Sequence, residues 1–454
     1  TFKTIGEGIL MNSSSSVNAD GSMDSGSADN VRWEVLNSNT GSGTFDLLVR
    51  RGNDTTNDKS VLETWTNLSL DPFSSNYVAK RIGDQTSTYT ADGTSYYLQT
   101  SGAYPNASRY IRVSAVDATT PNYLDNSGVA KSAYTASIPV AQAGGFISAT
   151  GDVKDAAKFY DEITSTDTQG LVGTDYTKMI NLLSNSDDYK FNVLITPGLY
   201  DTDYTTQLTS IISNTQNRGD NLFILDPVKH GMSITDVTSI AASRNTSYAA
   251  SYWPWVQVID PDTGRQVWVP ASTLMAGVFA YNDSVSEPWF APAGINRGGL
   301  GQVVRPERKL AQATRDTLYT NKVNPIASFP GTGVVVYGQK TLQTKSTALD
   351  RVNVRRLLIA MKSYIAGVAQ NLVFEQNSAA TRNNFLAQVN PYLEGIQQKQ
   401  GLYAFKVVMD ETNNTADVID RNELIGQIYV QPTKTAEYIY LDFNVTPTGV
   451  AFPA

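Results

Sequence analysis

Two continuous apolar runs with an amphipathic stretch between them leave few folds open to the middle of this chain. FNVLITP (Phe191 to Pro197) and NLFILDP (Asn221 to Pro227) have the length and apolar content of strands buried on both faces. Between them, Tyr204 to Thr215 places Leu208, Ile211 and Ile212 on one side of a helix. A second helix is expected over Ser233 to Arg244, and another over Thr174 to Leu183. Strand, helix, strand in this order predicts a βαβ unit and a parallel sheet. VQVIDPDTGRQVWVP then reads as a hairpin turning at Asp262-Thr263-Gly264, and Pro270 to Tyr281 as a helix apolar almost all round.

On either side the pattern changes. Asn12 to Asn30 is rich in Ser, Asn, Gly and Asp and predicts a mobile loop. VRWEV, FDLLVRR, SVLETWTNLSL, SYYLQT and RYIRVSAV predict short strands, the second and third as an antiparallel pair. In the last third, helices are expected over Glu307 to Tyr319 and Val352 to Leu372. A further apolar stripe (Phe385, Leu386, Val389, Tyr392, Leu393, Ile396) is interrupted by Pro391, predicting a kink or two helices with Asn390 as a cap. LYAFKVVMD, LIGQIYVQP and EYIYLDFNV (Glu437 to Val445) predict three more strands, with Asn413 to Thr415 in the first turn. The reading is a multidomain α/β and α+β chain. It has a flexible segment at 1–30, a mainly β domain at 31–146, an α/β domain at 147–304 and an α+β domain at 305–454.

Composition removes several chemistries. The 454 residues contain no cysteine and one histidine, His230, so thiol catalysis, disulfides, cysteine metal sites and a two-histidine metal site within one chain are excluded. A formal charge of −8 with 17% charged residues argues against general nucleic-acid binding. No apolar run is long enough for a membrane-spanning helix. Asp201 with Asp203, and Asp260 with Asp262, lack the further oxygen ligands of a calcium loop. The glycine-rich AGGF and NRGGLG stretches lack the ending of a phosphate-binding loop. No cofactor is expected.

The densest set of motifs runs from Pro288 to Phe374: PWFAPAGINRGG, LYTNKVNPI, a β-type run ending in YGQKTL, and DRVNVRRLLIAMKSYIAGVAQNLVF. In the last, Val354, Leu357, Leu358, Met361, Tyr364, Ile365, Val368 and Leu372 form one helical stripe, with Asp350 placed to cap it or favour its dipole. Taken in this order, APAGINRG, LYxxxxNPI, YGxKT and DRxNVRRL resemble the contractile tail sheath proteins of myovirus-type bacteriophages. Val61 to Tyr77 (VLETWTNLSLDPFSSNY) resembles the same family.

That resemblance implies a subtilisin-like fold for the middle domain, a C-terminal domain facing a tail tube, and a structural, non-enzymatic role. The implied role is a subunit polymerising as a helical sleeve around the tube and contracting to drive it through the host envelope. Implied partners are other copies of the chain, the tail tube protein, and baseplate and tail terminator proteins, with neither nucleic acid nor membrane insertion. The implied location is the virion, and the host cytoplasm during assembly. Thr1 and the absence of the family's N-terminal arm lead to the expectation of a chain trimmed at its start.

A subtilisin-like domain invites a test for a protease triad. Asp226 and Ser233 flank His230, but neighbours a few positions apart share a local turn and do not thereby converge on a substrate; no nucleophile segment is visible. The remaining candidates are cationic. Arg351, Arg355 and Arg356 fall on the polar side of the Val352 to Leu372 helix, and Arg382, Lys399 and Lys406 flank the next elements. They predict a tube or inter-subunit docking face, a solvated face with local ion pairs, or contacts to carboxylates of the same chain. Two other readings stand beside the structural one: a hydrolase on the α/β domain, and a surface glycan-binding adhesin built on the aromatic N-terminal third.

Overall fold

The computed structural model describes residues 1–6, 11–12, 17–24, 26–93, 95–146, 160, 163, 173–261 and 264–437. The N-terminal part comprises β1 (Phe2–Thr4), β2 (Val31–Asn39), β3 (Thr44–Arg51), β4 (Val61–Ser69), α1 (Val78–Ile82), β5 (Thr86–Asp92), β6 (Ser95–Ser101), β7 (Ile111–Val113), α2 (Ser132–Thr135) and β8 (Gln142–Gly145). An antiparallel sheet of order β4-β3-β2-β8 carries its core. Along β3, Phe45, Leu47 and Val49 are buried and alternate with less buried residues, the period-two pattern of a sheet with one covered face.

Where composition suggests a flexible segment at 1–30, the described stretches make fixed contacts. β1 pairs antiparallel with β7, and Asn12, Met23 and Asn30 are buried. What holds the loop is polar: the Arg32 guanidinium donates to the Gly21 carbonyl at 2.5 Å, and Arg51 donates to the Ala28 carbonyl at 3.1 Å. Arg32 and Arg50 lie side by side in the interior. Asp54 binds Arg50 through two hydrogen bonds at 2.7 and 2.8 Å and meets Arg32 at 3.3 Å, while Glu34 bridges Arg50 to Lys59.

The central part comprises α3 (Tyr176–Leu183), β9 (Val193–Tyr200), α4 (Thr205–Arg218), β10 (Leu222–Asp226), α5 (Ile234–Ser243), β11 (Ala249–Trp253), β12 (Val256–Ile259), β13 (Gln266–Val269), α6 (Ser272–Val285), β14 (Val303–Pro306), α7 (Gln312–Thr320), β15 (Val323–Phe329) and β16 (Gly333–Val336). The expected βαβ unit is present: β9, β10 and β11 are parallel, joined through α4 and α5. β15 adds parallel to β11, and β16 closes the edge antiparallel, giving the order β16-β15-β11-β10-β9. The sheet therefore continues to Val336, past the boundary expected at residue 304. The strands are covered on both sides, so alternate residues feed two cores. Phe223 and Leu225 meet α3, α4 and α5, whereas Leu222 and Ile224 meet α6.

Several expectations for this part need correction. The helix expected from Glu307 begins at Gln312, because Val303–Pro306 pairs with β12 instead. α6 is one-sided, with Tyr281 and Val285 exposed. The β12–β13 hairpin is antiparallel as expected, but Asp262 and Thr263 of its turn lie outside the described residues.

The C-terminal part comprises α8 (Val352–Gln370), α9 (Ala379–Gln398), β17 (Leu402–Val408), α10 (Ala416–Asp420) and β18 (Gln427–Pro432). α9 runs unbroken through Pro391 and starts at a Ser378 cap, so Asn390 caps nothing. Asp350 does not cap α8; it sits in a short 3-10 turn, and Arg351 occupies the N-cap position without a side-chain cap. β17 and β18 form a two-stranded antiparallel ribbon, and α10 lies in the connection after the expected turn. Of the third expected strand, Glu437 to Val445, only Glu437 is described.

Candidate functional site: an arginine clamp at the domain junction

α8 belongs to two cores at once. Val352 and Ile359 pack with α6 and the central sheet, while Leu357, Met361 and Val368 pack with Phe385, Val389 and Leu393 of α9. A helix gripped from both sides has no solvated face over its first turns, and every residue from Val352 to Leu357 is buried. That overturns the docking face expected of Arg355 and Arg356, which are 4% and 5% exposed. Helical periodicity identified the stripe facing α9 but carried no information about a second partner on the opposite side.

Each buried guanidinium is held inside the chain. Arg355 donates from Nε to the Ser247 carbonyl at 3.2 Å, bonds the Ser247 hydroxyl, and stacks on Tyr248 at 3.9 Å. Burial pulls its pKa down, and the Tyr248 hydroxyl works against that. Arg356 binds Asp283 of α6 at 2.5 Å and lies over the Phe279 ring at 4.5 Å. Asn353 donates to the Trp289 carbonyl at 3.1 Å. Bidentate, planar guanidinium chemistry suits such crowded junctions, where stacking and hydrogen bonding act together.

The other four cations divide. Arg351 is half-buried, bidentate to Glu437 at 2.7 and 3.0 Å and paired with Asp350 at 3.0 Å. Arg382 is buried and donates to the Asn377 side chain at 2.7 Å. Lys399 is exposed and reaches Glu287 across the junction at 2.6 Å. Lys406 is exposed on β17. So the six residues form no single patch. The partners Glu437, Asp283, Ser247 and Tyr248 carried no sequence signal, because they are distant in the chain and ordinary in type.

The recurring motifs acquire structural roles at the same junction. The AGINRG loop wraps the edge strand: Gly294 N–H donates to the Val336 carbonyl and Val336 N–H to the Gly298 carbonyl, both at 2.8 Å. A side chain at Gly298 would stand 2.7 Å from the Val336 oxygen, so glycine is required there. Asn324 of the NPI motif donates to the Ser251 and Lys340 carbonyls at 3.0 and 2.8 Å and accepts from the Lys340 N–H at 2.6 Å. Lys340 then donates to the Tyr319 carbonyl at 2.8 Å and lies over its ring at 4.3 Å.

The triad residues are committed elsewhere. Ser233 and Asp236 form the capping box of α5. Asp226 is buried and accepts from Ser272 Oγ at 2.5 Å and Ser272 N–H at 3.2 Å, at the start of α6. His230 packs against Trp255 and Trp268, with ring centroids 5.5 and 4.8 Å away. Asp201 is bound by Arg244 at 2.5 and 2.7 Å, and Asp203 by Lys229 at 2.8 Å, so these acids serve ion pairs.

Burial pushes the Asp226 carboxyl up to about 7, against the opposing pull of its Ser272 hydrogen bonds. The folded state therefore holds a proton below about pH 7 that the unfolded chain takes up only near pH 4. Its contribution to stability is full below the unfolded value and is lost as pH rises through 7. Asp226→Asn is expected to flatten the fall in thermal stability between pH 5 and 8 by an amount equivalent to a few kcal/mol. Parallel slopes for the two proteins would assign that pH dependence to other groups.

Comparison with known proteins agrees with this architecture. Residues 169–342 match the phage tail sheath protein central domain, and residues 344–446 match the phage tail sheath C-terminal domain. The tail sheath protein of Vibrio phage KVP40 is 41% identical over 228 residues, 50% of this chain and 33% of that protein. The tail sheath protein of Salmonella phage ViI is 32% identical over 323 residues, 66% of this chain and 51% of that protein. The chain thus spans between a third and about half of the length of these relatives. The sheath complex of the PVC extracellular contractile injection system, solved in its contracted state, is 24% identical. It superposes with a TM-score of 0.51 over 60% of this chain and 75% of its own, a likeness of fold. With both domain matches flanking the arginine-clamped junction, the chain belongs to the phage tail sheath family.

Proposed function

We propose that this chain is a structural subunit of a contractile phage tail, many copies of which wrap the tail tube as a helical sleeve and shorten to drive it into the host. The observation that carries this reading is the junction itself. Polar chemistry in the centre of the molecule is spent on joining two domains, and the side chains that a hydrolase would need are locked in caps and stacks. A contracting sleeve needs bodies that keep their shape while the contacts between them change. α8, shared by two cores, meets that need.

The central part is assigned a subtilisin-like sheet topology without its catalysis, and the C-terminal part is assigned to the tube side. The expected partners are other copies, the tube protein, and the baseplate and terminator proteins, within the virion and in the host cytoplasm during assembly. Of the six cations, Lys399 and Lys406 are the exposed ones available for docking. The Lys399–Glu287 contact is a surface pair and restrains little. Lys399→Glu with Lys406→Glu is expected to reduce sleeve assembly on purified tubes several-fold, with the folded monomer unchanged by circular dichroism. Electron microscopy of mixtures checks this. Wild-type sleeves from the doubly reversed protein would remove both lysines from the tube contact, and absence of sleeves from the unaltered full-length protein would remove the functional reading.

A further inference from the structure

Phe374 stands wholly exposed in the turn between α8 and α9, and its φ of 70° lies in the left-handed region. A bulky side chain is rarely held there, because its Cβ crowds the backbone. Val373 beside it and Ile419 of α10 are exposed as well. Asn377 ties the two segments together, donating to the Glu423 carbonyl at 2.8 Å and to the Asn414 side chain at 3.4 Å. The same two segments carry Glu375, Glu411 and Asp420, all exposed and without an ion-pair partner among the described residues. The nearby Arg421 is spent on Asp417 and Glu423. The tip is an apolar knob in acidic surroundings.

At the other end of the same helices lies a pocket. α9 runs from the knob back to the junction, and its 20 residues span about 30 Å. There a cleft of about 400 Å³ opens between Trp289 and Phe290 on one side and Leu402 and Tyr403 on the other, with Lys434 in its lining. Its walls are fixed. Trp289 and Leu402 belong to the core that holds α8 and α9, and the Trp289 indole N–H donates to the Lys399 carbonyl at 3.0 Å. Lys434 is exposed and has no ion-pair partner among the described residues, and Lys399 adds a second exposed ammonium, paired with Glu287. The two ends of the C-terminal part are thus opposite in shape and in charge.

We propose that Phe374 of one copy seats in the Trp289–Tyr403 pocket of a second copy, with Glu375 meeting Lys434. Knob and pocket lie too far apart to meet within one chain, so each copy offers one and receives the other. Such a contact is heterologous and generates a ring or an open helical array. The aromatic anchor supplies affinity, and the charges set register. A preformed pocket and a knob already fixed in its presenting conformation leave little to order on contact. The inference rests on the sleeve reading only for the presence of neighbouring copies. It is tested on the free chain, so its failure and a failure to assemble on tubes are separate results.

Sedimentation velocity of the full chain at rising concentration tests it. The unaltered protein is expected to form a series of oligomers that salt weakens. Phe374→Gly, which suits a positive φ, is expected to weaken association roughly tenfold or more, with circular dichroism unchanged. Tyr403→Ala with Lys434→Glu alters two exposed pocket residues and is expected to do the same. An equimolar mixture of these knob and pocket variants is expected to stop at dimers, since each pair retains one intact knob and one intact pocket. Glu375→Lys is expected to restore the association that Lys434→Glu alone removes. Because the chain has no cysteine, Glu375→Cys and Lys434→Cys chains, mixed and oxidised, are expected to link to each other in preference to themselves. A chain that stays monomeric throughout would overturn the proposal. So would a Phe374→Gly protein that associates as the unaltered one does, or a mixture of knob and pocket variants without dimers.

Discussion

Arg356→Ala is expected to lower the unfolding free energy of the central and C-terminal domains by about 2–4 kcal/mol, the range for losing one partner of a largely buried pair together with its packing. Arg356 is 5% exposed, and its removal leaves Asp283 without its cation and a void over Phe279. Because Asp283 keeps some contact with water, the lower half of the range is favoured over the full penalty for an enclosed charge. Urea unfolding followed by tryptophan fluorescence measures the loss. The companion change Arg356→Met with Asp283→Leu replaces both charges by apolar groups and is expected to recover most of it. A double variant no more stable than Arg356→Ala would mean that the ion pair itself, and not the uncompensated charge, carries the effect.

The second large effect is expected at Asp54. Its side chain is 2% exposed and lies against Arg32 and Arg50, each 1% exposed. Asp54→Ala leaves two adjacent buried guanidinium groups with only Glu34 to balance them, at a cost of about 3–5 kcal/mol. Burial already pulls the Arg32 pKa down, and the neighbouring Arg50 charge pulls it further. Loss is expected to be local: residues 31–69 and the loop that Arg32 holds through Gly21 should exchange amide protons much faster, while β9–β11 stay protected. A uniform loss over the whole chain would show that the N-terminal sheet and the parallel sheet unfold as one.

What the sequence revealed and hid follows from which forces act over short separations. Periodicity located β9, α4, β10, α5 and the α9-facing stripe of α8, since each depends on its own apolar spacing. It missed β15, a strand in the middle of the sheet, because Pro325 lacks a backbone donor and demotes any run containing it. The Asn324 amide supplies the missing connections, and that substitution of side chain for backbone has no periodic trace. The same limit explains the arginines. The order of motifs around them identified the family, yet the docking role assumed a free helix face. Asp283 lies 73 positions from Arg356 and Glu437 lies 86 from Arg351, so the charges that neutralise them were beyond any local pattern.

The shared helix α8 has a mechanical consequence. A load applied to the C-terminal helices enters the parallel sheet through a strut clamped along its length, with Arg355 and Arg356 resisting shear at one end and the α9 contacts at the other. Such a joint transmits displacement with little elastic loss. The compliance of the subunit then resides outside α8, and pulling on single molecules should extend the N-terminal sheet and surface loops before either core that α8 joins yields.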